Sequence, residues 1–442
     1  MHKIEINDQL LQALTRQNPW WTDRRILAED PTRAKRTVFP LLRERVFARE
    51  LITAVVGLRR VGKTTLLKQL INELLLAGQI DRERICYFSF EDFGYFQTPE
   101  ALTDLLEARL ARFPQGKLYF FMDEIQYVNN WNSILKKYFD LYPQIKLLIS
   151  GSSSLFIATE AQESLAGRLQ EITIHPLSFG EYVKINRGFQ LPAVDFLATD
   201  SLIDFQPSLQ SNFLDYLIFG EFPYLPRLPG EEEKKEYLLN FVIGKVVEFD
   251  LPRLRKIYGP AEMKHLVEIL FANTGQTIHL QNLGSDLGLA QRTLREYLSL
   301  LEKTYLFRQT YNQGAGFRQR SLRQRKIYPL SVNALAFKTL PINLGQLVEA
   351  FVFNYLIRNR AEEIFFFRQR QSTEVDFLVN AVPLLPVEVK YQAFVKPADC
   401  QNLLYYCRKE KLSRAVMITK YFLETRTLED VHLRFIPAYF LV

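Results

Sequence analysis

Residues 57–64 read GLRRVGKT, and they stand between an apolar run, LITAVVG (51–57), and a helical pattern, TTLLKQLINELLLAG (64–78). Gly57 and Gly62 allow the backbone to curl so that successive N–H groups point inward. The following helix adds the partial positive charge of its first turn, so the loop suits phosphate oxygens. Gly57, Leu58, Arg59, Arg60, Val61, Gly62, Lys63, Thr64 and Thr65 would line a nucleotide, with Lys63 reaching the β- and γ-phosphates and Thr64 placing a hydroxyl on Mg2+.

A second motif follows about sixty residues later. In KLYFFMDEIQ an apolar run leads into Asp123–Glu124. That pair falls at the C-terminal end of a strand, where open α/β sheets place their ligands. Asp123 would hold Mg2+ through water, and Glu124 would polarise the attacking water as general base. Further strand-like runs, RICYFSF (84–90) and IKLLISG (145–151), alternate with helical stretches, which predicts a parallel sheet covered by helices. The expectation is an ATP- and Mg2+-dependent hydrolase, although the residues alone leave ATP and GTP both open.

Three weaker candidates accompany these motifs. Ser150, in SGSSS, either contacts the γ-phosphate or the attacking water, or simply starts a strand-to-helix turn. Arg168, in SLAGRLQ, is either an arginine finger, in cis or from a neighbouring subunit, or an ordinary surface arginine. Glu91–Asp92 stand where they could orient water.

At 442 residues the chain is too long for one core. Its 48% apolar and 24% charged residues are ordinary for globular domains. No run approaches the roughly 18 apolar residues needed to span a bilayer. MHKIEINDQL lacks the apolar core of a signal peptide, and Cys86, Cys400 and Cys407 lack metal-binding spacing. A soluble cytoplasmic protein without membrane partners is expected.

The net charge of +7 is local. Arg292, Arg295, Lys303, Arg308, Arg318, Arg320, Arg323, Arg325 and Lys326 face only Glu296 and Glu302 between residues 290 and 330, which accounts for the whole excess. The same region, QTIHLQNLGSDLGLAQRTLREYLSLLEKTYLFRQTYN (276–312), reads as helix, turn, helix and strand, with Leu294, Leu298 and Leu301 at core spacing. This is the outline of a helix-turn-helix with a wing, with Arg292 and Arg295 near the start of the second helix. DNA is the expected partner, while winged helices also dock proteins.

Near the C-terminus, QSTEVDFLVNAVPLLPVEVKY (371–391) reads as a hairpin whose strands carry Glu374 and Asp376, then Glu388 and Lys390. These charges are either solvated edge residues or the surroundings of a metal ion.

Taken together, NPWW (Asn18–Trp21), GLRRVGKTT, DEIQ, SGSSS, LAGR with HPLSFGEY, FGEFP, the helix-turn-helix and EVDF…VEVK resemble a widespread prokaryotic family of AAA+-like P-loop ATPases with a C-terminal domain of uncharacterised function. One departure is Glu221 in FGEFP, where glycine is more usual. The resemblance implies an α/β chain: a P-loop NTPase parallel sheet, a helical and winged-helix region, then a small restriction-endonuclease-like α/β domain. The corresponding segments are 1–45 (N-terminal helical), 46–200 (ATPase), 201–265 (helical lid or linker), 266–335 (winged helix) and 336–442 (endonuclease-like). In that last fold Asp376, Glu388 and Glu349 would hold Mg2+, and Lys390 would stabilise charge or position water. Side-chain alternation does put Glu388 and Lys390 on one face.

Two functions remain in view. One is an ATPase driving a DNA-binding winged helix and a nuclease-like domain, with self-assembly if Arg168 acts between copies. The other is a nucleotide-controlled signalling switch or scaffold whose C-terminal domains bind protein.

Overall fold

The computed structural model describes residues 8–23, 25–91, 94–151, 165–189, 191–192, 196–254, 259–313, 324–338, 341–359, 363–370, 373–380 and 382–442. Asp92, Ser152–Ser154 and Arg318, Arg320 and Arg323 of the basic segment lie outside them. The chain packs as two compact units, Met1–Ile174 and His175–Val442.

The first unit is built on five parallel strands: β1 (Ile52–Val56), β2 (Ile85–Ser89), β3 (Leu118–Asp123), β4 (Ile145–Gly151) and β5 (Leu169–Thr173), in the order β2-β3-β4-β1-β5. The four expected strands are present. β1, β2 and β4 are buried along their whole length, as parallel strands covered on both faces must be. The fifth, LQEIT, does not stand out in the sequence because it is an edge strand: only Gln170 and Ile172 are buried, and Leu169, Glu171 and Thr173 are partly exposed. Helices Lys63–Ala77, Pro99–Arg112 and Trp131–Leu141 follow β1, β2 and β3. Thr98 starts the second of these by accepting from Ala101 N, with Pro99 as its first residue.

Side chains, rather than a further strand, close the edge at β2. Asn18 Oδ1 accepts from Tyr87 N (2.7 Å), while Asn18 Nδ2 donates to Tyr87 O (2.8 Å). Both indole N–H groups, of Trp20 and Trp21, donate to Ile85 O (3.2 and 2.9 Å), and Gln17 Oε1 accepts from Ser89 N (2.7 Å). The QNPWW segment thus pairs an edge that would otherwise template another strand.

The second unit begins with helical segments. Gln206–Asp215 continues into a π-helical turn, Tyr216–Gly220, and Glu231–Glu236 continues into Tyr237–Gly244. Glu221, in FGEFP, is buried at the end of the first π-turn. Its Oε2 accepts from Ser331 Oγ (2.7 Å) and Asn333 N (3.0 Å). Its own N–H donates to Asn333 Oδ1 (2.8 Å), and Arg358 Nη2 stands 3.9 Å from its carboxylate. Glutamate here ties the FGEFP turn to the segment 331–333.

Beyond it come the helix Pro260–Ala272, β6 (Thr277–Ile278), the helices Leu280–Leu287 and Gln291–Lys303, then β7 (Phe307–Asn312) and β8 (Arg325–Pro329). The helix Leu344–Asn359 precedes β9 (Ile364–Arg370), β10 (Thr373–Val379) and β11 (Leu385–Lys390). The helix Gln401–Glu410 and β12 (Arg414–Thr419), β13 (Glu424–Leu428) and β14 (Val431–Pro437) complete the unit. All nine strands form one mixed sheet in the order β13-β14-β12-β11-β10-β9-β7-β8-β6. The sequence division at 335/336 therefore coincides with no break in the sheet, because β7 pairs in parallel with β9. Strands β9 and β13 do not stand out in the sequence: β9 (IFFFRQR) directly abuts the hairpin pattern and β13 (ETRTL) is largely exposed. Among the described residues no helix is long and apolar enough to cross a membrane.

Asn18→Ala removes the side-chain bonds to the Tyr87 N–H and C=O and is expected to cost about 2–4 kcal/mol in urea denaturation. Trp21→Phe, which leaves Trp20 on Ile85 O, is expected to cost about 1 kcal/mol or less.

Candidate nucleotide site and the C-terminal charge cluster

The loop leaves β1 at Gly57, whose φ of +145° only glycine adopts with ease, and a β-carbon there would run into the Ile174 carbonyl. Gly62, at φ +100°, opens the helix Lys63–Ala77. Lys63 is buried, and its Nζ donates to Gly57 O and Leu58 O, both at 3.1 Å. Phosphate oxygens would compete with these carbonyls for the ammonium. Arg36 supports the loop from behind by donating to Val61 O (3.0 Å).

Asp123, at the end of β3, accepts three hydroxyl hydrogen bonds. Thr64 Oγ1 (2.6 Å) and Tyr87 OH (2.9 Å) donate to Oδ2, and Ser150 Oγ donates to Oδ1. Ser150 Oγ also accepts from Glu124 N (3.2 Å). Strand β4 lies between β1 and β3, so Ser150 at its end bridges Asp123 and Glu124 directly. Thr64 and Asp123 supply a hydroxyl and a carboxylate in contact, a donor pair that fits a hard, oxygen-preferring cation such as Mg2+. Tyr87 was missed because only the β2–β3 register, which pairs Ser89 with Asp123, brings its ring to the carboxylate.

Glu124 takes a left-handed backbone conformation, φ +53°, unusual for a residue other than glycine. Burial raises its carboxyl pKa, Lys63 opposes the rise, and Asp123 adds to it. Gln126 Nε2 donates to its Oε2. Glu91 lies 3.4 Å from Arg59 Nη1 and accepts from Tyr127 OH (3.3 Å), so it engages the loop.

Arg168 stands elsewhere. Parallel pairing matches Ile52 with Leu169 and Val56 with Thr173, and Ile52 N donates to Arg168 O (2.8 Å). Arg168 thus sits at the start of β5, about 20 Å along the sheet from Gly57 at ~3.3 Å per residue. Its guanidinium grips Asp140 with two bonds, 2.7 and 3.1 Å. The expectation of a finger acting in cis is corrected: the strand register places Arg168 at the far end of the sheet from the chain's own loop.

In the second unit, Glu349 and Asp376 meet Glu374 around Lys326, a residue of the basic segment, while Glu388 stands beside Asp376 and pairs with Lys390. Lys326 Nζ, 2% exposed, lies 2.6 Å from Glu374 Oε1, 3.3 Å from Glu349 Oε1 and 3.5 Å from Asp376 Oδ1. Tyr328 OH donates to the same Glu349 Oε1 (2.6 Å). Val389 N donates to Asp376 Oδ2 (2.9 Å), and Asp376 N donates to Glu388 Oε2 (3.2 Å). Lys390 Nζ lies 2.7 Å from Glu388 Oε1, and Arg368 Nη1 lies 3.4 Å from Glu374 Oε2. Burial pushes Glu349 up to about 7, with Lys326 opposing and Asp376 adding. Burial and then Asp376 push Glu388 up to about 8. Among the described residues no three His, Cys, Asp or Glu side chains are arranged to hold a metal ion.

The basic segment is also smaller at the surface than its composition suggests. Arg325 and Lys326 are buried, and Arg325 donates to Gln309 Oε1 (2.9 Å). Arg292, Arg295 and Arg308 are exposed, while Leu294, Leu298 and Leu301 are buried as expected.

Residues 49–183 match the family model described as AAA domain. Residues 210–332 and 344–439 match two described as domains of unknown function, DUF8612 and DUF4143. An uncharacterized protein of Haemophilus influenzae is 27% identical over 391 residues, 85% of this chain and 91% of that protein. The uncharacterized protein MJ1544 of Methanocaldococcus jannaschii is 27% identical over 349 residues, 77% and 75% of the two chains. Among solved structures, Aeropyrum pernix ORC1 in complex with DNA aligns over 74% of this chain and 94% of its own, with 13% identity and a TM-score of 0.32. AMPPCP-bound DnaA from Aquifex aeolicus aligns over 65% and 92%, with 14% identity and a TM-score of 0.27. The first unit has a P-loop NTPase fold, followed by a helical region and a C-terminal mixed sheet.

Lys63→Ala removes the loop's only ammonium and is expected to weaken ATP binding about 10- to 100-fold in a calorimetric titration. Arg168→Ala, at the far end of β5, is expected to leave that affinity within about twofold.

Proposed function

We propose that this chain hydrolyses ATP with Mg2+ and uses the nucleotide cycle to control a DNA-binding winged helix. The observation that carries the hydrolytic reading is the Asp123 carboxylate, held by Thr64, Tyr87 and Ser150 beside the buried Glu124. Lys63 would bind the β- and γ-phosphates. Thr64 and Asp123 would hold Mg2+, which supplies charge neutralisation to the phosphates. The raised basicity of Glu124 suits it to accept a proton from water, and its link through the backbone to Ser150 fixes its approach. Arg168, at the far end of the sheet from its own loop, is proposed as a finger supplied to a neighbouring copy, which makes a homo-oligomer the active form.

The DNA reading rests on the second unit. The helix Pro260–Ala272, β6, the helix pair and the β7–β8 hairpin follow winged-helix order, and β8 pairs with both β6 and β7. Arg292 and Arg295 project from the first turns of the second helix of the pair, where a recognition helix meets bases or phosphates. The remaining strands and the helix Leu344–Asn359 support an endonuclease-like fold. A second reading, a nucleotide-controlled module that docks protein, is favoured by the burial of Arg325 and Lys326, which reduces the basic face.

ATP turnover with and without duplex DNA separates the two. Glu124→Gln is expected to lower turnover 100-fold or more while retaining ATP binding. Under the DNA reading, duplex stimulates turnover, and Arg292→Ala and Arg295→Ala each reduce the slope of log affinity against log salt by about 1 when the side chain meets a phosphate. Turnover and salt slope both indifferent to DNA and to these arginines would leave the protein-docking reading.

A further inference from the structure

Metal-dependent cleavage by an endonuclease-like centre needs carboxylate oxygens that are free to converge on one divalent ion. Here most of the oxygens are already committed. Both oxygens of Glu374 face cations, Lys326 at 2.6 Å and Arg368 at 3.4 Å. Both oxygens of Asp376 are engaged, by Lys326 at 3.5 Å and Val389 N at 2.9 Å. Both oxygens of Glu388 are engaged, by Lys390 at 2.7 Å and Asp376 N at 3.2 Å. Glu349 Oε1 carries two donors, Tyr328 OH and Lys326 Nζ. Four carboxylates thus meet three fixed cations, and the buried Lys326 ammonium stands where the contributions of the preceding helix and of β10 converge.

The strand order adds a second, independent constraint. β8, which carries Lys326, is separated from β10, which carries Glu374 and Asp376, by β9 and β7. In a flat sheet three strand spacings amount to about 14 Å. The observed contacts require the sheet to curl at the short β7–β9 junction, where pairing is limited to Tyr311 with Phe365 and Asn312 with Phe366. Lys326 crosses that curl from the hairpin of the helical region to the C-terminal strands.

We infer that Lys326 is the resident cation of this cluster, so that Glu349, Glu374 and Asp376 form a lysine-closed joint between the β7–β8 hairpin and β10 rather than a divalent-metal centre. The buried charges are satisfied by one another, and the joint holds two parts of one sheet that share little backbone pairing. Mg2+ would have to displace Lys326, leaving a buried ammonium without partners. The centre consequently cuts no nucleic acid in the wild-type chain, and its acidic pattern is retained as a mechanical tie. This inference is independent of the nucleotide site, since it concerns residues of the second unit alone.

The test counts Mn2+ bound per chain by electron paramagnetic resonance on the full-length, nucleotide-free protein. Wild type, Asp376→Asn and Glu388→Gln are expected to bind equal amounts. Lys326→Met is expected to bind one Mn2+ more than wild type and to lose it in the Lys326→Met/Asp376→Asn double variant. A wild type that binds one Mn2+ more than either Asp376→Asn or Glu388→Gln overturns the inference, as does a folded Lys326→Met chain that gains none. ATP turnover measured on the same samples reads the other proposal separately: its loss in the wild type would sink the ATPase without touching the joint.

Discussion

The Asp123 carboxylate organises the first unit. Three hydroxyls converge on it: Thr64 from the helix after the phosphate loop, Tyr87 from β2, and Ser150 from β4. A buried carboxylate with such donors has its orientation fixed. The glycine turn, the neighbouring strands and Glu124 all take their relative positions from it. The edge strand that brings Tyr87 to this carboxylate is gripped from outside by Asn18, so the N-terminal segment and the nucleotide site meet through one tyrosine.

The second unit uses the opposite economy of charge. There the focal group is a cation, Lys326, enclosed by carboxylates from a helix and from β10. Buried ion pairs of this sort add little net stability compared with apolar packing, but breaking one partner is costly, so they specify one arrangement. The arrangement they specify is a single sheet shared by the helix-turn-helix region and the C-terminal strands. Glu221 does comparable work nearby, since its carboxylate and its N–H both bind the segment around Asn333.

The phosphate loop was legible in GLRRVGKT because the motif is contiguous and its chemistry resides in the backbone and in adjacent side chains. Asp123 and Glu124 were legible because five apolar residues before an acidic pair mark the end of a buried strand. Tyr87 and the paired role of Ser150 were not, since each depends on which strands are neighbours and in what register. β5 was missed because an edge strand hides only half its residues. The basic segment was overread for a related reason: composition counts charge but not direction, and two of its residues, Arg325 and Lys326, turn inward.

The sequence by itself determined the P-loop α/β core and most of its strands, because motif spacing and hydrophobic periodicity act locally. Tertiary structure alone decided that Arg168 lies at the far end of the sheet from its own loop and that the hairpin continues the C-terminal sheet. It also decided that a lysine stands among the carboxylates. These depend on parallel register and on the curl of a sheet, and both join residues far apart in the chain through contacts that no local pattern records.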